Sequence, residues 1–169
     1  MRPASGYIDR RYSADAAEAV AWDDVRARLA DAQLAWIVTI KADGRPHATP
    51  MVPVVHDGKV YFHTGSNEVK YGNLMADPHV LVLVGDTCWD RGLDVSVEGI
   101  AEPVTDGELM RRLAELYNDR WDGSWQLEVK DDALVPRVPG IQLVFFEVTP
   151  QTARAHAKSA PSSQTTYRF

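Results

Sequence analysis

Two hydrophobic periods divide the chain. From Ser13 to Asp31 an alanine-rich stretch sets Val20, Trp22, Val25 and Leu29 on roughly one stripe, the pattern of an amphipathic helix, or of two short ones, packing over the end of a barrel. The period then shortens. Leu34-Ala35-Trp36-Ile37-Val38-Thr39-Ile40 is rich in β-branched and aromatic residues and reads as a strand. Asp43-Gly44, within Ala42 to Pro46, favours a tight hairpin because glycine tolerates positive φ. A second strand is predicted from His47 to His56 and a turn at Asp57-Gly58. In a third strand, Val60, Phe62 and Thr64 alternate with Tyr61 and His63.

Ser66 or Asn67 is placed to cap a short helix that runs to about Ala76, before Pro78 biases its predecessor away from the α region. His79 to Gly85 and Leu93 to Val104 supply a fourth and a fifth strand. Thr105-Asp106-Gly107-Glu108 has capping-box spacing ahead of Leu109, Leu113, Leu116 and Tyr117 on one helical face. Asp119 to Gly140 is polar, contains tryptophan and is interrupted by Pro136 and Pro139, so it is expected to be irregular with one short helical turn. Ile141 to Val148 is the sixth strand. Six or seven strands joined first by hairpins, with helices at the edges, predict a mainly β fold: an antiparallel barrel, since parallel pairs need a crossover each.

Length and composition narrow the class. A chain of 169 residues without internal repeats or a low-complexity linker fits one domain, 1–169, with a helical segment at 13–31 and a C-terminal tail at 157–169. Such a domain buries roughly 70% of its unfolded surface and needs no staples. Cys88 is the only cysteine, so neither an intrachain disulfide nor a CxxC pair can form. The net charge of −6, from 18 basic and 24 acidic side chains, works against nucleic-acid binding by counterion release. No stretch has the ~20 apolar residues of a membrane span, and the charged first thirty residues lack the apolar core of a signal peptide. A cytoplasmic location without nucleic-acid or membrane partners is expected. His47, His56, His63 and His79 show no metal-ligand spacing, so no metal is expected.

One segment carries chemistry. His63-Thr64-Gly65-Ser66 followed by Lys70 combines a hydroxyl donor, a glycine that admits close approach, a helix N-terminus and a lysine in its first turn, which together make an anion site. The alternatives are ordinary: a solvated lysine on a surface helix, and capping or turn roles for Thr64 and Ser66.

The run Asp43-Gly44-Arg45-Pro46-His47, with Pro50, Pro53, Val60-Tyr61-Phe62-His63-Thr64, Lys70, Asn73-Leu74 and Asp77-Pro78, resembles the pyridoxamine 5′-phosphate oxidase-like superfamily of split-barrel flavoproteins. The likeness spans about Leu34 to Val148. The ending Thr166-Tyr167-Arg168-Phe169 looks like the Thr-Arg-Trp-Arg-Phe terminus of actinobacterial, deazaflavin-dependent members. The resemblance implies a homodimeric oxidoreductase in which Thr64 and Lys70 grip a cofactor phosphate. It lays the cofactor ring along His47 to Pro53, with Thr49, Pro50, Met51 and Val52 as contacts. Barrel core is the alternative for Met51 and Val52, and edge geometry for the prolines. Trp89 and Arg91 would stack on or pair with the cofactor near a dimer interface, with exposed loop residues as the other reading. Tyr167 and Arg168 would dock into the site, with a frayed tail as the alternative.

Departures from the oxidases shape the expected chemistry. Glu68-Val69 stands where they carry a Ser-Arg pair, and Ala48 and Pro53 or their neighbours stand near where they carry an arginine and a lysine. Fewer charges facing the phosphate point away from vitamin B6 oxidation. The resemblance to deazaflavin-dependent members favours coenzyme F420, whose phosphodiester needs less charge, over FMN, and implies hydride transfer to an unsaturated small-molecule acceptor. Tyr117, Tyr167 or a water would protonate the product. A carrier or sequestering protein, or a haem- or flavin-binding sensor, is the alternative.

Overall fold

The computed structural model describes residues 2–122, 124–136 and 138–169. Among these the chain runs through β1 (Ser5–Ile8), a 3-10 turn (Arg10–Tyr12), α1 (Trp22–Asp31), β2 (Ala35–Ile40), β3 (Pro46–Met51), β4 (Val54–His56) and β5 (Lys59–Gly65). It continues through α2 (Val69–Ala76), β6 (His79–Val84), β7 (Leu93–Pro103), α3 (Gly107–Arg120), β8 (Val129–Lys130), β9 (Ala133–Leu134), β10 (Leu143–Ala157) and β11 (Ser163–Arg168). No helix of the described residues is long and apolar enough to cross a membrane.

Every strand pair among the described residues is antiparallel. The order β10-β7-β6-β2-β3, with β4 on β5 and β5 on β10, makes a circuit closed where β3 passes through Val52-Pro53 into β4. The second predicted strand is therefore two strands. Proline donates no ladder hydrogen bond, and the break at Pro53 lets the chain turn from β2 towards β5. Both turns read from Asp-Gly pairs form, with Gly44 at φ 79° and Asp57-Gly58 at 48° and 77°.

β10 is the hinge of the split. It runs beyond the expected Val148 to Ala157, pairing β5 over Leu143 to Val148 and β11 from Thr152 onward, with β7 along its other edge. The register shifts between Pro150 and Thr152, the point where β10 leaves one neighbour and takes the next. The expected C-terminal tail is thus strand β11, held between β10 and β1. Helix is confined to Trp22–Asp31 at the N-terminal end, rather than spanning 13–31. The 119–140 region, expected to be irregular, carries the hairpin β8-β9, whose turn residues Asp131 and Asp132 have φ of 50° and 55°.

Two cores result. Val60, Phe62, Val82, Val97, Phe146 and Val148 fill the barrel, with Val25 and Leu29 of α1 at its side. The alternate residues of β5 and β10, Tyr61 and Phe145, face a second core under α3 with Leu113 and Tyr117. Asp106 caps α3, its side chain accepting from the Leu109 amide at 2.8 Å.

Candidate functional site

The break between β3 and β4 is held from α3. Tyr117 is fully buried, and its hydroxyl donates to the Val52 carbonyl at 2.6 Å. Arg120, one turn on, donates to the Ala32 carbonyl at 2.8 Å. Against this fixed bend, the end of β5, the start of α2 and the chain around Trp125 and Ile141 enclose a cavity of about 400 Å³. Its walls are mostly apolar, from Met51, Val52, Trp125, Ile141 and Leu143, and one end is polar, from Lys70, Glu68 and Asn67. His63 also lines it, with its ring edge-on to Trp125 at 4.9 Å and to Tyr117 at 5.1 Å.

At the polar end Lys70 is only 6% exposed, which removes the reading of a solvated lysine. A buried ammonium needs a partner, and Lys70 donates to the Glu68 carboxylate. The other Glu68 oxygen accepts from the Gly65 amide at 3.0 Å. Burial works to raise the Glu68 carboxyl, but Lys70, the Gly65 amide and Thr64 outweigh it and hold the group below the usual glutamate range. A Cβ on Gly65 would lie 2.7 Å from Asn67 Oδ1 and 3.1 Å from Ile141 Cγ2, so this turn is tight around its amide. The Thr49 hydroxyl is buried without a hydrogen-bond partner among the described residues, whereas the buried Thr64 hydroxyl faces the Glu68 carboxylate.

The structure brings Pro50, Met51, Val52, His63, Gly65 and Lys70 to one cavity. Thr64 adjoins it behind Gly65, and Thr49 points its buried hydroxyl to the barrel side of β3, paired with Ile37. Ser66 acts differently from expectation. It does not cap α2, whose N-cap is Glu68; its backbone and hydroxyl bond Gln142 at 2.8 and 3.1 Å, which extends the β5-β10 ladder.

Four predicted contacts lie elsewhere. Trp89 is 87% exposed and Arg91 is exposed, both in the β6-β7 loop and apart from the cavity. Tyr167 is a core residue, its ring 5.1 Å from Trp22 and its hydroxyl bonded to the Val20 carbonyl, with burial pushing its pKa up to about 12. Arg168 donates to Thr152 Oγ1 at 2.7 Å on β10. Strand pairing takes the terminus into the sheet, so it is not a loose arm beside the cavity. Burial also raises the Tyr117 hydroxyl far above its ordinary range, and with its bond to Val52 this suits a support for the bend rather than a proton donor.

Sequence reasoning passed over Glu68, Asn67, Leu34, Trp125, Ile141 and Leu143 as cavity residues. Signals existed for Glu68, an acidic residue two positions before the candidate lysine, and for Asn67, the candidate cap beside it. Leu34, Trp125, Ile141 and Leu143 come from segments remote in sequence, which only the folded chain assembles.

Comparison with known proteins gives one family. The model of the family described as pyridoxamine 5′-phosphate oxidase matches residues 21–157. No curated protein sequence matches the chain. Among solved structures, the conserved hypothetical protein Rv2991 of Mycobacterium tuberculosis is 23% identical with a TM-score of 0.68, over 84% of this chain and 87% of that one. A structure named F420 reductase is 23% identical with a TM-score of 0.56, over 76% and 94%. A haem-binding protein of Mycobacterium smegmatis is 16% identical with a TM-score of 0.65, over 89% and 59%. At these identities the structures share the split-barrel fold.

Proposed function

The chain belongs to the pyridoxamine 5′-phosphate oxidase family, and from that membership we propose that it is an oxidoreductase that binds F420, or FMN, beside Lys70 and serves hydride transfer to an unsaturated small-molecule acceptor. One observation carries the reading: a nearly buried lysine closes one end of an apolar cavity, next to a tight glycine turn. A flat apolar ring with an anionic tail matches that arrangement of walls and charge. The similarity to an F420 reductase agrees with the deazaflavin choice.

The bound cofactor supplies the hydride chemistry. The residues of this chain would position it and exclude water. Met51, Val52 and Leu143 offer apolar contact, Trp125 and His63 cover the α3 side, and Lys70 with Thr64 anchors the anionic end. Vitamin B6 oxidation is not assigned, because Glu68-Val69 puts a carboxylate where further basic residues would be wanted.

The partner we propose is a second copy of the chain, in a reducing, cytoplasmic setting that suits its single cysteine. The outer face of β2, β3 and β6 supports this, since Trp36 is 49% exposed and lies opposite both Pro50 and Leu83.

Titration of the purified protein with FMN and with F420 tests the cofactor. Saturable binding is expected, with Lys70→Ala weakening it about 10-fold or more, the worth of a charge-assisted hydrogen bond. Unchanged affinity in that variant would refute the anion assignment. Stopped-flow oxidation of the reduced cofactor with a panel of enone and quinone acceptors separates enzyme from carrier: binding without acceptor-dependent oxidation leaves a sequestering protein.

A further inference from the structure

The anion cradle already holds an anion of the chain's own. The Glu68 carboxylate takes the Gly65 amide at 3.0 Å through one oxygen and Lys70 through the other. These are the donors that a ligand phosphate would need, and the buried hydroxyl of Thr64 faces the same carboxylate. With Lys70 paired, the cradle has no net charge to offer. The carboxylate side chain is 45% exposed, so it can swing into solvent when a stronger anion arrives.

We propose that Glu68 is a specificity-determining residue that competes with the ligand phosphate for Lys70 and the Gly65 amide, and so selects against phosphomonoesters. This rests on the cofactor reading above. A phosphomonoester carries close to two charges near neutral pH and a phosphodiester one. Repulsion from a carboxylate a few ångströms away scales with that charge. A ligand without a phosphate leaves the Glu68-Lys70 pair undisturbed.

Glu68 therefore penalises FMN most, F420 less, and riboflavin, which is FMN without its phosphate, not at all. The pairing also leaves Lys70 necessary, because without it the carboxylate would stand uncompensated beside the ligand.

The test is the affinity of FMN, F420 and riboflavin for the wild-type protein and for Glu68→Gln, measured by fluorescence titration at one ionic strength. In the wild type, FMN is expected to bind no more than a few-fold better than riboflavin. Glu68→Gln is expected to tighten FMN about 10-fold or more, F420 by less, and riboflavin not at all. Glu68→Ser repeats the experiment without an amide that can still occupy the Gly65 bond, and thermal melting of both variants checks that they fold. A gain equal for all three ligands, no gain in either variant, or a wild-type preference for FMN over riboflavin beyond 10-fold overturns the role of Glu68 while leaving the cofactor site standing. Failure of every variant to bind any of the three overturns the site and this role together.

Discussion

Tyr117 shows how one residue joins the second core to the cavity. Its ring stacks on Trp121 at 5.4 Å and lies edge-on to His63, while its hydroxyl holds the Val52 carbonyl at the β3-β4 bend. Removing the hydroxyl strands that carbonyl without changing the packing. Tyr117→Phe is expected to cost about 1–2 kcal/mol in denaturant unfolding and to weaken cofactor binding through a looser bend. Unaltered stability would mean that Pro53 and Arg120 hold the bend without it. At this scale the grouping of Gly65 and Lys70 at one cavity was legible, because it needed only local spacing. The pairing of Lys70 with Glu68 was not, since it depends on a turn that brings residues two positions apart onto one donor set.

Among the elements, β11 departs furthest from the sequence reading. Its polar composition, Ser163-Gln164-Thr165-Thr166-Tyr167-Arg168, has little of the apolar alternation that marks a half-buried strand. It is nevertheless enclosed, with Thr165, Thr166 and Tyr167 buried, because β1 and β10 flank it and Trp22 covers the Tyr167 ring. Tyr167→Ala is expected to cost about 3–5 kcal/mol, the range for emptying a buried aromatic site. Cofactor affinity of the folded fraction should stay the same. Calorimetry gives the first quantity and titration the second; lost affinity at unchanged stability would return the terminus to the ligand site. The first strands and α3 were legible by contrast, because β2 and α3 each present one apolar face to one core and β5 alternates between the two cores.

Taken whole, the molecule is a closed circuit of strands with a second core on one flank and an uncovered apolar sheet face on another. That face belongs to β2, β3 and β6, with Trp36 at its centre. Trp36→Glu puts a charge there without touching the barrel interior, and is expected to convert the proposed dimer to monomer in light scattering at micromolar concentration. A dimer that survives the change would have to use another surface. The cavity is a whole-molecule feature as well, since β3, β5, α2, Trp125 and β10 each contribute part of it.

The sequence by itself determined an antiparallel β fold with peripheral helices, the hairpins at Asp43-Gly44 and Asp57-Gly58, and the segment from His63 to Lys70 as one that lines the cavity. All of these rest on short-range periodicity, turn chemistry and spacing. Tertiary structure alone decided that the second strand breaks at Pro53, that β10 serves β5 and β11 in turn, and that the C-terminus is a strand. It alone brought Trp125 and Leu143 to the same cavity as Lys70. Those outcomes depend on which distant surfaces bury one another, and a linear pattern does not encode that choice residue by residue.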